Sequence, residues 1–138
     1  MVQDAGGRWL ITLTAGALFV LGVPLLFAAD VVAGWLGAPS AGMEVMAQLA
    51  ASGLLGLGLI NWWWRGNLVG GIYGRPLGLA NLLCFLSAAA SLGRATQAGT
   101  LPGAVWVVVI GSAALALAFA WRMFVWTPQP GPGQRPGV

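Results

Sequence analysis

The sequence predicts an all-α polytopic membrane protein, folded as an antiparallel bundle of four transmembrane helices. Charged residues make up 7% of the chain and hydrophobic residues 59%, whereas soluble proteins carry about 25% charged residues. Long apolar runs also fill most of the chain, and a helix needs roughly 20 residues to cross a hydrocarbon core about 30 Å thick. The predicted helices cover residues 9–29, 43–64, 76–98 and 103–126.

The first predicted helix follows Arg8, and its apolar run is longer than the apolar core of a signal peptide, which has about 7–15 residues. We therefore expect a retained membrane helix, preceded by a short polar lead over residues 1–8. Residues 31–37 are apolar but too few to span a membrane, so we expect them to lie at the interface. Ser40 or Gly42 can then cap the second helix.

Small residues recur at a spacing of four on the other three helices. Close backbone approach between such residues supplies much of the association between helices in lipid. We expect these faces to pack helices within the bundle, although the same pattern can serve dimerisation. Pro76 fits the first turn of the third helix, where its missing N–H would be unpaired in any case. The small residues are Ser52 and Gly56, then Ala80, Cys84 and Ala88, then Ser112, Ala116 and Ala120.

The arginines predict the orientation of the bundle. Lys and Arg accumulate in short cytoplasmic loops, and with both termini cytoplasmic only Arg94 falls on the outer side. Tryptophans also fall at the predicted helix boundaries, where indole rings are favoured. We therefore expect both termini on the cytoplasmic side of a cell inner membrane. The five arginines on that side are Arg8, Arg65, Arg75, Arg122 and Arg135.

Composition argues against several functions. The chain has no histidine and no lysine, and its acidic residues are Asp4, Asp30 and Glu44. Histidine is the commonest metal ligand and the usual acid–base group near neutral pH. No paired carboxylates or activated nucleophile can be assembled from the rest. We therefore expect no enzyme activity, catalytic residue, metal site or cofactor, and the scattered arginines do not predict nucleic-acid binding.

One polar group lies at the predicted inner boundary between the second and third helices. Asn61 and Asn81 should lie at similar depth on adjacent antiparallel helices, where they can hydrogen-bond to each other or to a shared ligand. Arg65, Tyr73 and Arg75 belong to the connection between them. These five residues are the candidate site for a lipid headgroup or another anion. The alternative is structural, with arginines that set topology and asparagines that join two helices.

After Trp126 the chain becomes rich in proline and glycine over residues 127–138. Such a composition forms neither a helix nor a strand. We expect this tail, together with the small-residue helix faces, to contact a protein partner.

Residues 70–83 read Gly-Gly-Ile-Tyr-Gly-Arg-Pro-Leu-Gly-Leu-Ala-Asn-Leu-Leu and follow Asn61 and Trp62. This stretch resembles a segment of small uncharacterised four-helix bacterial inner-membrane proteins. The resemblance covers the second and third predicted helices. It implies four membrane spans and a bacterial inner-membrane location, and that group has no assigned activity.

Two functions remain open from the sequence. The first is a non-catalytic accessory or structural subunit of a larger membrane complex, such as an energy-transducing one. The second is a small membrane receptor or carrier that binds a lipid or another apolar molecule near the cytoplasmic interface. Membrane lipids are expected partners in both cases.

Overall fold

A computed structural model describes residues 5–66 and 74–125. Within these ranges there are five α-helices and one short 3-10 helix, and no strand. Four stretches of the described residues are long and apolar enough to cross a membrane. The all-α prediction with four membrane helices is therefore confirmed, and the chain is a multi-pass membrane protein. The helices are α1 (Ala5–Phe27), α2 (Ala29–Trp35), α3 (Ala41–Trp64), α4 (Arg75–Gln97) and α5 (Trp106–Phe124), with the 3-10 helix over Gly103–Val105.

The predicted boundaries hold to within a few residues, with one correction at the start of the chain. α1 begins at Ala5, inside the stretch that was predicted to be a polar lead. A helix can extend past its apolar residues because a further turn satisfies its own backbone hydrogen bonds. Arg94 lies in the last turn of α4, where a cation is favoured by the helix dipole. Trp126 and the tail over residues 127–138 lie outside the described residues.

The short α2 matches the predicted non-spanning segment between the first two membrane helices. Its seven residues bury Ala29 and Ala33 and leave Val31 and Trp35 66% and 60% exposed. One face therefore packs on the bundle while the other presents apolar side chains. Ser40 caps α3, since its Oγ accepts a hydrogen bond of 3.2 Å from the Met43 backbone N–H.

α1 and α3 pack as an antiparallel pair through glycines. A Cβ built on Gly22 would lie 2.8 Å from Leu55 Cγ, and one built on Gly58 would lie 3.3 Å from Leu18 Cβ. The expected contact through Ser52 and Gly56 is therefore wrong as a packing face within the described bundle. Ser52 is exposed, and a Cβ on Gly56 would meet nothing within 4 Å.

Helical phase explains why the face of α3 with Ser52 and Gly56 is not the buried one. The buried residues of α3 are Ala51, Gly58 and Asn61, which share one face at 3.6 residues per turn. Ser52 and Gly56 fall on a different face, although their spacing is also favourable for close packing.

α4 and α5 form a second antiparallel pair. Gly78 lies against Met123 near one end, and the rings of Phe85 and Phe119 stack with centroids 6.5 Å apart. The predicted face of α5 is confirmed, since Ser112 and Ala116 are buried and Ala120 is half-buried. On α4 the prediction is only partly right. Cys84 and Ala88 are half-buried but Ala80 is exposed, and the residues buried instead are Gly78, Asn81, Phe85 and Thr96.

The two helix pairs meet in one apolar core. Ile11 and Leu18 of α1 cluster there with Phe85 of α4 and with Ala116 and Phe119 of α5. α3 contributes the half-buried Leu54 and Leu57 to this cluster. We call the end of the bundle where α1 and α4 begin and α3 and α5 end the N-terminal end.

Candidate functional site

The two predicted asparagines form a reciprocal pair near the N-terminal end. Asn61 Nδ2 donates to Asn81 Oδ1, and Asn81 Nδ2 donates to Asn61 Oδ1, each over 2.8 Å. Asn81 Nδ2 also donates to the Leu77 carbonyl oxygen over 2.9 Å. Both side chains are fully buried. The prediction that they can hydrogen-bond to each other is confirmed, and their amides are turned towards one another rather than towards an open surface.

A separate cleft lies at the N-terminal end of the bundle, where the last turn of α3 comes beside the first turns of α1. Its volume is about 580 Å³, and five of the described residues line it. We call it the basic cleft because two of its lining residues are arginines from different helices. The five residues are Arg8, Trp62, Trp63, Arg65 and Gly66.

Arg65 is held in a defined position in the basic cleft. It follows directly after α3, and one Nη donates to the Trp62 carbonyl oxygen over 2.6 Å. The guanidinium carbon also lies 4.1 Å from the centroid of the Trp62 ring, a cation–π contact. The carbonyl end of a helix favours a cation, so the end of α3 itself helps to hold this charge. A guanidinium has five N–H donors, and this bond uses one of its Nη atoms.

Arg8 enters the basic cleft from the second turn of α1. Its side chain is exposed, and its carbonyl oxygen accepts a hydrogen bond of 2.8 Å from Thr12 Oγ1. No acidic side chain from residues 5–66 or 74–125 lines the cleft. The described lining therefore brings together two positive charges and two indole rings, of which Trp63 is 82% exposed.

The structure thus separates the residues of the predicted site. Arg65 lines the basic cleft, while Asn61 and Asn81 are buried against each other. Arg75 is exposed at the start of α4 and is not among the residues that line the cleft. Tyr73 lies outside the described residues. Binding of a lipid or an anion by these five residues stays a prediction.

Sequence reasoning missed the contributions of Arg8, Trp62 and Trp63 to this cleft. The arginine pattern places Arg8 and Arg65 on the same predicted side of the membrane, and α1 and α3 are consecutive long helices. Those two facts together could have indicated that the residues lie close in space. The tryptophans gave no signal of a cleft, because an anchoring role explains an indole at a helix end without any ligand.

The basic cleft is suited to bind a phosphate group. Guanidinium groups bind phosphate oxygens through two parallel N–H bonds, and indole N–H groups can donate to neighbouring ester or hydroxyl oxygens. The described residues contain no group of histidine, cysteine and acidic side chains that could hold a metal ion. Comparisons of the chain with protein-family models, with curated proteins and with solved structures find no match.

Proposed function

We propose that this chain is a non-catalytic membrane protein that binds the headgroup of an anionic lipid in the basic cleft. The observation that carries the proposal is the convergence of Arg8 and Arg65, from two different helices, on one cleft lined by tryptophans. This cleft lies at the ends of membrane-spanning helices, which is the depth at which lipid headgroups lie.

The orientation belongs to the same proposal. With five of the six arginines on one side, the positive-inside rule favours cytoplasmic termini. The basic cleft would then face the cytoplasmic leaflet, whose anionic lipids attract basic residues beside a membrane helix. The leaflet, the orientation of the chain and the charge of the cleft are therefore consistent with one another.

The test is lipid retention by purified protein. The full chain would be reconstituted with zwitterionic lipid and with phosphatidylglycerol, and bound lipid would be counted by native mass spectrometry. We expect one phosphatidylglycerol to stay bound to the wild type and to be lost from R65Q. R94Q is the matched control, since Arg94 ends α4 at the opposite end of the bundle. Equal retention by R65Q and the wild type would refute the proposal.

A second candidate function is an accessory subunit of a larger membrane complex. The observation that favours it is the small-residue face of α3 that the bundle leaves unused. Ser52 and Gly53 are exposed, and neither Gly53 nor Gly56 would bring a Cβ within 4 Å of another group. In lipid, helices associate through such faces. Leu49 is 60% exposed on the same side of α3, so it could flank a partner helix.

This second candidate is tested by purification from native membranes in mild detergent. We expect stoichiometric partner chains to accompany the wild type and to be lost from G56L, because a leucine would separate the two helix backbones. G16L is the control, since Gly16 is an exposed glycine of α1 with open space around it. A wild-type protein that runs alone, or partner chains that remain bound to G56L, would argue against the subunit function. Removal of residues 127–138 tests the tail in the same way.

A further inference from the structure

We infer that the basic cleft selects a lipid headgroup carrying two negative charges over a headgroup carrying one. This inference rests on the proposed lipid-binding function and adds the chemical class of the ligand. The charge of the cleft lining, the position of Arg65 and the size of the cleft support it.

The charge of the cleft lining favours a headgroup with two negative charges. Arg8 and Arg65 each bring a cationic guanidinium group, and no acidic side chain in the described ranges lines the cleft beside them. A headgroup with a single negative charge would leave one of these positive charges uncompensated as the cleft is filled. A headgroup with two negative charges would neutralise both. The gain is greatest for groups that lose water on binding, because nearby charges interact more strongly when water is excluded.

The placement of the two guanidinium groups favours the same kind of headgroup. Arg65 is held by its hydrogen bond to the Trp62 carbonyl oxygen and by its contact with the Trp62 ring. Little side-chain freedom is therefore lost when it binds an anion. Arg8 comes from another helix and lines the same cleft, so the two guanidinium groups can bind different oxygens. A phosphomonoester has three terminal oxygens for this purpose, and two linked phosphodiesters have two each, whereas one phosphodiester has only two in all.

The size of the cleft also suits such a headgroup. Ligand pockets for small molecules measure about 300–1,000 Å³, and the basic cleft measures about 580 Å³. It therefore has room for one phosphate with its glycerol or for two phosphates joined by a glycerol. The exposed ring of Trp63 adds an apolar surface and one N–H donor at the rim.

Two lipids have a headgroup that can carry two negative charges, and the experiment distinguishes between them. Phosphatidic acid has one phosphomonoester, and cardiolipin has two phosphodiesters. Each competes with phosphatidylglycerol for the full chain in mixed micelles at matched total lipid charge, and native mass spectrometry gives the ratio of bound lipids. We expect at least one of the two to be preferred by about tenfold, the effect of one additional charge-assisted contact. Preference for phosphatidic acid would indicate that the cleft binds two charges on one phosphate, and preference for cardiolipin that it binds two separate phosphates.

Variants assign the preference to the cleft. R8Q should lose the preference and still bind phosphatidylglycerol, while R8K should keep most of it because the charge remains. R94Q, at the opposite end of the bundle, should behave as the wild type. Asp4 lies outside the described residues and precedes Arg8 by four positions, so D4N is included. Retention of the preference in D4N is expected, and its loss there would contradict the inference.

The outcomes distinguish this inference from the proposed function. Equal binding of all three anionic lipids, with binding lost in R65Q, would overturn the selectivity and leave the lipid-binding function standing. Selectivity that survives unchanged in R8Q would also overturn the inference. Binding of anionic lipid that R65Q does not reduce would refute the proposed function itself, and the selectivity with it.

Discussion

Replacing Asn81 with leucine should destabilise the bundle, because it leaves a buried amide without its partner. Leucine has a similar size, so the change removes hydrogen bonds with little change in volume. Asn61 is fully buried, and it exchanges two hydrogen bonds of 2.8 Å with Asn81. After the substitution its Oδ1 and Nδ2 atoms lose both of these bonds, and no water reaches a fully buried group to replace them.

The size of the effect follows from these two bonds. Hydrogen bonds between membrane helices average about 0.6 kcal/mol and reach about 1.7 kcal/mol. A buried polar group left without a partner costs about 1–3 kcal/mol. We therefore expect each of N61L and N81L to lower the free energy of unfolding by about 1–3 kcal/mol. The double variant should cost much less than the sum, because replacing both partners by apolar groups can be nearly neutral.

The assay is unfolding in mixed micelles as the fraction of denaturing detergent rises, followed by helical circular dichroism. The double-mutant cycle should give a coupling free energy that approaches the sum of the two single costs. S87A is the control, since Ser87 is exposed and its hydroxyl donates to the Leu83 carbonyl oxygen of its own helix. Single variants within about 0.5 kcal/mol of the wild type, or additive effects, would refute this account of the asparagine pair.

Three further predictions follow from the packing and the charges. G22A should cost about 1–3 kcal/mol of unfolding free energy through overpacking, since its Cβ would lie 2.8 Å from a leucine Cγ of α3. G56A has open space around it and should be neutral within about 0.5 kcal/mol, so equal effects of the two variants in the same assay would contradict this reasoning. In a C84S background, an impermeant maleimide on intact cells should label A98C and not G66C, and the reverse pattern would overturn the proposed orientation. Lipid binding in the basic cleft should weaken as salt is added, because exposed charges are screened; retention that is independent of salt in native mass spectrometry would indicate apolar binding instead.

Much of the fold could be predicted because membrane insertion depends on local composition. A span needs a run of apolar residues of sufficient length, so four helices and their approximate ends followed from the sequence. Ser40 and Pro76 were recognisable at helix starts because caps and first-turn prolines act within a few residues. α1 begins earlier than its apolar run predicts, since the helix extends through the residues before Trp9.

The choice of packing face was harder to predict. Ser52 and Gly56 have a spacing that suits helix association, yet α1 contacts the face of α3 that carries Gly58. Both faces of α3 contain small residues, so composition does not distinguish them. Which face is buried depends on the rotation of α3 about its axis, and that is determined by all of its contacts together. The asparagine pair was easier to predict than the packing face, because two amides at similar depth in an apolar layer bind each other when no water is present.

The sequence by itself determined the class of the protein, the number of its membrane helices and the gathering of arginines at the boundaries. These properties depend on the cost of placing each residue in hydrocarbon or in water, and that cost is local. Only the tertiary structure decided that Asn61 and Asn81 are bound to each other and that Arg8 joins Arg65 in one cleft. The physical reason is that Arg8 and Arg65 are distant in the chain, and only the antiparallel packing of α1 on α3 brings their charges together.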